Sequence, residues 1–246
     1  EAGHEVDPKQ FEPGLSVSEQ ADRHAQQFVL LSTDIRVAYV LKNWLEVGIT
    51  LPLRAAIIDA QFLNESGNPL PGFTSIHHRT ETLFGLGDLG FNGRFRLLSR
   101  SQESPFRVDL TTGFTVPTGH VEPNPFALGR MGTRHQHIFF GRGTVDPRLG
   151  LQVEWNTPKV TVAFETNWSG SLYENEYEYR GPQVLSFGLN LAPDFGFEQW
   201  QFRLGAEISK EFPASWAGET AENSGRLDVV PALGVGWRPS QLSMVT

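Results

Sequence analysis

The sequence predicts an all-β protein, an up-and-down antiparallel transmembrane β-barrel of about 12 strands whose C-terminal strand or strands are absent from this chain. Two observations predict this fold. Apolar and polar residues alternate through nine separate runs, and the connections between the runs alternate short and long. Successive side chains of a strand point to opposite faces, so the alternation gives each strand one face suited to lipid and one suited to water.

Each run is close to the roughly 9–11 residues that a tilted strand needs to cross the hydrocarbon layer. In the clearest run, Leu89 and Phe91 share one face while Asp88 and Asn92 share the other. The predicted strands cover 28–41, 44–53, 87–98, 106–116, 147–155, 159–168, 184–191, 199–209 and 226–237, and a tenth begins near Gln241. We expect an N-terminal segment over 1–26, with a weaker first strand within 11–20, and the barrel over 27–246.

The connections separate a membrane barrel from a soluble β-sandwich, which also alternates but has no reason to alternate its loop lengths. They cover 42–43, 54–86, 99–105, 117–146, 156–158, 169–183, 192–198, 210–225 and 238–240. Short turns on the periplasmic rim and long loops on the other rim are typical of outer-membrane barrels. The sequence therefore predicts a protein of the bacterial outer membrane whose export leader has already been removed.

The tryptophans give a second indication. Trp44, Trp155, Trp200 and Trp237 each lie beside a short turn, whereas Trp168 lies at the opposite end of its run. Amphipathic aromatic rings favour the two interfaces of a bilayer. We expect these five residues to form two aromatic girdles.

Composition narrows the partners. The net charge of -8 argues against nucleic acid, and the absence of cysteine excludes thiolate metal sites and a cysteine nucleophile. A mean hydropathy of -0.28 does not exclude a barrel, because only every second residue of a strand meets lipid. We expect outer-membrane lipid and lipopolysaccharide as partners. The acidic loop residues Glu174, Glu176 and Glu178 favour a solvated surface, with divalent ions bridging to lipopolysaccharide or a protein partner as alternatives.

The polar faces of the runs carry the candidate lumen-lining residues, eight positive and seven negative. They are Arg36, Glu46, Asp88, Arg94, Arg96, Arg107, Asp109, Arg148, Glu154, Lys159, Glu165, Arg203, Glu207, Arg226 and Asp228. Neighbouring strands should pair these charges across the interior. Two interpretations stay open, a small polar conduit with a charge filter or an ion-paired core that only supports the barrel. A constriction is expected at Asp88 and between Arg94 and Arg96.

No motif predicts catalysis or a cofactor. The segment 85–90 fits G-x-G-x-x-G, but it enters a strand rather than opening a helix, so its glycines are interpreted as permitting a bend or close packing. His135 and His137 would share one face of an extended segment, and His77 and His78 lie in another loop of the same rim. These imidazoles are weak metal candidates, because a site also needs a third ligand. We expect no enzyme activity.

Five short segments resemble outer-membrane transporter barrels related to the meta-pathway phenol degradation proteins. They are YVLKNWLEVGITLP (39–52), GLGDL (85–89), GFTVPTG (113–119), GTVDP (143–147) and SGRLD (224–228), the last followed by PALG (231–234). The resemblance implies an outer-membrane barrel that moves small, often apolar or aromatic compounds, and it implies no catalytic residues. The chain differs from that group in two ways: we expect its C-terminal strand to be absent, and one of its loops carries histidines.

Two functions therefore remain. One is passive transport of a small solute through the barrel. The other is a closed structural barrel that anchors or docks a larger outer-membrane assembly.

Overall fold

The computed structural model describes residues 23–70, 78–101, 103–197, 199–221 and 224–237. These residues form antiparallel strands and one short helix. In chain order the elements are β1 (Arg23–Lys42), β2 (Leu45–Leu63), β3 (Glu81–Leu86), β4 (Leu89–Leu98), β5 (Phe106–Val116), α1 (Pro125–Arg130), β6 (Asp146–Asn156), β7 (Val160–Ser169), β8 (Tyr179–Arg180), β9 (Val184–Pro193), β10 (Trp200–Glu211), β11 (Ser215–Trp216), β12 (Glu219–Thr220) and β13 (Arg226–Trp237).

Nine long strands form one sheet that curls into half a barrel. Its order is β1-β2-β4-β5-β6-β7-β9-β10-β13, and every neighbouring pair is antiparallel. All nine predicted strands and their up-and-down order are confirmed. Within the described residues β1 and β13 are the two edges of the sheet. The further strands predicted within 11–20 and from Gln241 lie outside those residues.

The prediction of a loop over 54–86 was wrong for 54–63 and 81–86, which belong to strands. β1 begins at Arg23, inside the predicted N-terminal segment, and β2 continues to Leu63 beside it. β3 then returns along the other side of β2. β3 and β4 follow one path along β2, because Leu53 pairs with Leu86 and Thr50 pairs with Gly90. Between these two pairs, residues 87–89 lie opposite residues 51–52 of β2. The β3–β4 path therefore holds one extra residue, as in a β-bulge.

The two faces of the sheet have opposite character. On the outer face large apolar side chains are exposed, Val37 by 67% and Leu233 by 79%. On the inner face polar side chains are buried, and Asp109 and Asp146 are each 2% exposed. A water-soluble sheet buries its apolar face instead. Within the described residues no helix is both long enough and apolar enough to span a bilayer.

The loop after β5 contains the helix α1. Asn124 caps it, because the side-chain oxygen accepts hydrogen bonds from the backbone N–H groups of Phe126 (3.0 Å) and Ala127 (3.1 Å). Pro125 occupies the first turn, where its missing N–H costs no helical hydrogen bond. Gly132 follows the helix with a φ of 69°, a left-handed conformation that glycine adopts without strain.

Three long loops pack together through an aromatic cluster, which we call the loop layer. Phe139 comes from the loop after β5, Tyr179 from the loop after β7 and Trp216 from the loop after β10. Ring centroids are 5.3 Å apart for Phe139 and Tyr179 and 4.6 Å apart for Tyr179 and Trp216. Tyr179 and Trp216 also lie on neighbouring short strands, β8 and β11. The loops on this rim therefore share a small hydrophobic core.

A buried polar network joins the loop layer to the sheet. The Thr144 hydroxyl donates to the Asp146 carboxylate at the start of β6 (2.6 Å) and lies 3.0 Å from the Ser171 hydroxyl. Thr144 and Ser171 are both fully buried. The Arg142 guanidinium bonds the other Asp146 oxygen at 2.9 Å. Every partner in this network is satisfied, as buried polar groups require.

We expect Trp216→Ala to loosen the loop layer without opening the sheet. Removing a buried tryptophan costs about 3–5 kcal/mol, and Trp216 is 6% exposed. Trypsin should therefore cut the folded protein faster within 117–145 and 170–183. Trp200→Ala, which removes a ring that is 48% exposed, is the matched control and should leave these cleavage rates unchanged. Equal rates in both variants would contradict a shared loop core.

Candidate functional site

On the inner face of β1, β2 and β4, one carboxylate is held between two arginines. Glu46 and Arg94 are direct cross-strand partners, and their side chains form an ion pair. Arg36 approaches the other oxygen of the same carboxylate, at 3.5 Å. The Glu46 side chain is 17% exposed, so it lies largely out of contact with solvent. Together, the side chains of Arg36, Glu46 and Arg94 carry a surplus of one positive charge.

The inner face of β4 and β5 repeats this arrangement. Asp109 on β5 pairs in register with Arg96 on β4, and the guanidinium lies 3.3 Å from one carboxylate oxygen. Arg107, two residues away on the same face of β5, contacts the other oxygen at 2.5 Å. We call the surface formed by Arg36, Glu46, Arg94, Arg96, Arg107 and Asp109 the basic wall. A cavity of about 230 Å³ opens beside it near the short turn at Asn43.

A different arrangement occurs on β6 and β7. The Glu154 carboxylate accepts a hydrogen bond from the Asn156 side-chain amide (2.9 Å), and the Glu165 carboxylate accepts one from the Asn167 amide (2.9 Å). In both cases the donor lies two residues further along the same face of the strand. Within the described residues neither carboxylate has a cationic partner. We call the surface formed by Glu154 and Glu165 the acidic wall.

A larger cavity, of about 790 Å³, lies against the acidic wall at the short-turn end of the sheet. Its lining includes Gln152, Asn190, Gln201 and Arg203 from the inner face as well as the two glutamates. Asp194 and Phe197 contribute from the turn between β9 and β10. The lining is mainly polar, so the inner face at this end holds space for water or a polar solute.

The other predicted lining residues lie on the same face but in different settings. Arg226 contacts Asp228 at 2.9 Å and lies 4.0 Å from Glu211. In the described part of the chain no ion pair is formed by Arg148, Lys159, Arg203 or Glu207. The structure thus groups four of the predicted arginines with two carboxylates and pairs Arg226 with Asp228 as a separate contact. Whether these residues line a conduit stays a prediction.

Asp88 has a different setting from the other predicted lining residues. It lies in the interruption between β3 and β4, and its two oxygens accept hydrogen bonds from the backbone N–H groups of Gly119 (3.0 Å) and Arg142 (2.8 Å). It thus ties together the two ends of the loop after β5.

The two ends of this loop also touch at a pair of glycines. A Cβ on Gly119 would lie 2.6 Å from the Cα of Gly141, which no side chain can accommodate. Thr118 adds a second attachment, because its hydroxyl donates to the Gly87 carbonyl (3.0 Å) and accepts from the Leu89 N–H (2.9 Å). Gly87 belongs to the segment 85–90, whose glycines are predicted to permit a bend or close packing. Thr118 therefore joins this segment directly to the loop after β5.

From this base the loop runs over the inner face of β3. The Phe140 ring lies 3.1 Å from where a Cβ of Gly85 would be. Gln136 donates to Glu81, and Arg79 donates to the His135 carbonyl at 2.9 Å. At this end of the sheet the inner-face residues Ala56 and Ile58 are buried. The loop therefore covers the inner face of β2 and β3 at the long-loop end, whereas the two cavities described above lie at the short-turn end.

The tryptophans lie where the sequence predicts them along the strands. Trp44, Trp155, Trp200 and Trp237 are 44–59% exposed on the outer side beside the short turns. Trp168 is partly buried and its ring N–H donates to Gln183 at 3.4 Å. Their contact with a bilayer interface remains a prediction.

Among the described residues, the histidines do not form a recognisable metal centre. His135 and His137 have ring centroids 5.1 Å apart, and Nδ1 of His135 lies 2.8 Å from the Thr133 carbonyl. In the described residues no group of three or more His, Cys, Asp or Glu side chains is placed to hold a metal ion. His77 lies outside those residues. The structure shows His135 in a buried loop contact.

Sequence reasoning did not select the uncharged partners of this site. Asn156, Asn167 and Asn190 also lie on the inner face, whereas the alternation of the sequence predicts only the charged lining residues. A usable signal was present, since Glu154 and Asn156 and then Glu165 and Asn167 repeat the same spacing on one face of adjacent strands. Arg142 and Thr144 carry no periodic signal, because they lie in an irregular loop.

No family model matches the sequence, and no curated protein sequence matches it. Among solved structures, the chain is similar to an outer membrane channel from Pseudomonas putida F1, with a TM-score of 0.49 and 13% sequence identity over 85% of this chain and 72% of that chain. A likeness this distant does not extend to function. The resemblance to the phenol-degradation group of barrels likewise stays a prediction.

We expect Asp88→Ala to release the base of the loop after β5. The variant leaves the N–H groups of Gly119 and Arg142 without their acceptor, at a cost of about 1–3 kcal/mol for each group. Amide hydrogen exchange at both residues should become faster, while exchange in β6 and β7 should not change. Asp194→Ala, which removes an exposed carboxylate that accepts the Gly196 N–H within the described residues, is the control. Unchanged exchange at Gly119 and Arg142 would show that Asp88 is not the anchor.

Proposed function

We propose that this chain is a bacterial outer-membrane β-barrel that acts as a channel for small solutes, with its short turns at the periplasmic side. The observation that carries the proposal is the polarity of the sheet. Its apolar outer face is exposed and its charged inner face is partly buried, as a barrel requires when lipid surrounds it and water enters it. An exposed apolar surface of this extent marks a binding or membrane surface rather than a water-facing one.

The tilt of the apolar surface supports a membrane rather than a partner sheet. One hydrogen-bonded row crosses the sheet from Glu46 on β2 to Asp228 on β13. On β2 the last outward apolar residue at the short-turn end is Leu45, one residue from Glu46. On β13 the corresponding residue is Trp237, nine residues from Asp228. The row therefore climbs by eight residues over seven strand spacings.

This climb gives the tilt of the strands. At about 3.3 Å per residue and about 4.8 Å per strand it corresponds to a tilt of about 40°. Strands of barrels tilt by about 35–45° from the barrel axis. The outer apolar belt thus has the inclination that a level bilayer would impose on a barrel.

The inner face supports a narrow channel with its constriction at the long-loop end. The loop after β5 covers Ala56 and Ile58 there, while the cavity of about 790 Å³ lies at the short-turn end. We infer that solutes pass a mouth shaped by the loop layer and then a wider vestibule. Closure of the barrel to about 12 strands remains part of the proposal. The exposed Glu174, Glu176 and Glu178 would face the lipopolysaccharide side.

The membrane assignment predicts heat-modifiable migration in a gel. Purified without detergent the protein should aggregate, because the outer face exposes residues such as Val37 and Leu233 to water. In detergent, the unboiled protein should migrate differently from the boiled protein, since the strand ladder persists until it is heated. A protein that stays monomeric in plain buffer and migrates identically in both samples would exclude the barrel.

The transport assignment predicts conductance in planar bilayers. The wild type should give discrete steps, and replacing both Arg94 and Arg96 by Gln should shift the reversal potential in a salt gradient toward cations. The reason is that Glu46 and Asp109 would each keep only one arginine. The double variant Arg130→Gln with Arg134→Gln removes the same charge from exposed loop positions and should shift the potential less.

A closed structural barrel is the second candidate, and the covered inner face at the long-loop end is the observation that favours it. A folded, heat-modifiable protein that gives no conductance, even as Asp88→Ala, would support this candidate and exclude transport. Stable co-purification with another outer-membrane protein would then indicate an anchoring role.

A further inference from the structure

The two cavities at the short-turn end of the inner face carry opposite charge. Around the cavity of about 230 Å³ the charged residues are three cations and two acids. They are Lys42, Arg94, Arg96, Glu46 and Asp109. Around the cavity of about 790 Å³ they are three acids and one cation. They are Glu154, Glu165, Asp194 and Arg203.

The carboxylates on the two walls also differ in how they are held. On the basic wall Glu46 and Asp109 each lie between two guanidinium groups, which neutralise them. On the acidic wall Glu154 and Glu165 are held by the neutral amides of Asn156 and Asn167. An amide donor fixes the direction of a carboxylate but leaves its charge in place. The two carboxylates of the acidic wall are therefore fixed in direction, but their negative charge is not neutralised.

The register of β6 and β7 brings the two acidic side chains close together. Glu154 lies opposite Ala163 and Glu165 lies opposite Gln152, so the glutamates are diagonal neighbours on one face. Diagonal neighbours have Cβ atoms about 7–8 Å apart or somewhat less. Ala163 and Gly188 beside them are small and leave the space above the strands open. Two like charges at this spacing attract a cation more strongly than either does alone.

We propose that Glu154 and Glu165 make this channel selective for cations and for small solutes that carry a positive charge. The inference rests on the proposed function, since it concerns passage through the same inner face. Passing solutes would turn their positive group toward the acidic wall, while the basic wall would accept an anionic group of a zwitterion. Two walls of opposite charge produce a field across the path and not along it.

The experiment is the reversal potential of the purified protein in a planar bilayer under a potassium chloride gradient. The wild type should prefer potassium over chloride. Glu154→Gln with Glu165→Gln should lower the permeability ratio several-fold, and each single variant should lower it by an intermediate amount. The difference should be largest near or below about 0.1 M salt and shrink near about 1 M, where the screening length falls to about 3 Å. Glu174→Gln with Glu176→Gln removes two exposed loop carboxylates and should leave the ratio nearly unchanged.

The outcomes separate the inference from the function on which it rests. Discrete conductance with a preference for chloride, or a double variant with the wild-type ratio, would overturn the inference and leave the channel intact. Absence of conductance in every heat-modifiable variant would overturn the channel itself. Should the double variant fail to insert, the two single variants carry the test, because each retains one of the glutamates.

Discussion

The requirement that backbone N–H and C=O groups find hydrogen-bond partners governs this structure. The antiparallel ladder meets that requirement in the seven inner strands of the sheet, each of which is bonded on both sides, namely β2, β4, β5, β6, β7, β9 and β10. In the proposed membrane setting, strand length, outward apolar side chains and the inclined belt would all follow from the need to cross a layer of fixed thickness. Since the outer face carries apolar side chains, polar groups and irregular backbone collect on the inner face and in the long loops.

The carboxylates of the inner face are held by two kinds of donor. On the basic wall each carboxylate has two arginines, so the charges are largely internal to the wall. On the acidic wall, neutral amides hold the carboxylates and the charge stays available to whatever fills the cavity. Both walls use the geometry of the sheet, either cross-strand neighbours such as Glu46 and Arg94 or same-face neighbours such as Glu165 and Asn167. Selectivity would thus depend on the kind of donor at each carboxylate as much as on the number of charges.

The sequence predicts the nine strands well because the outer face of each is apolar and the inner face is largely polar, which produces period-2 alternation. The same reasoning explains the failure at 54–63. There the inner face of β2 is covered, so Ala56 and Ile58 are apolar on the side where a polar residue was expected, and the alternation disappears. The site was predictable only in part. Charged positions such as Arg96 and Asp109 follow from alternation, whereas the Asp88 anchor and the loop core depend on contacts between distant segments.

The aromatic cluster of the loop layer has a consequence for the order of assembly. Phe139, Tyr179 and Trp216 are far apart in sequence and meet only when β5 to β10 already stand side by side. Bringing them together earlier would require closing long, flexible chain segments against their entropy. We therefore expect the strands to pair before the loop layer forms, so that the long-loop end of the inner face is covered last. In the proposed membrane setting, insertion and covering of the mouth would be separate events.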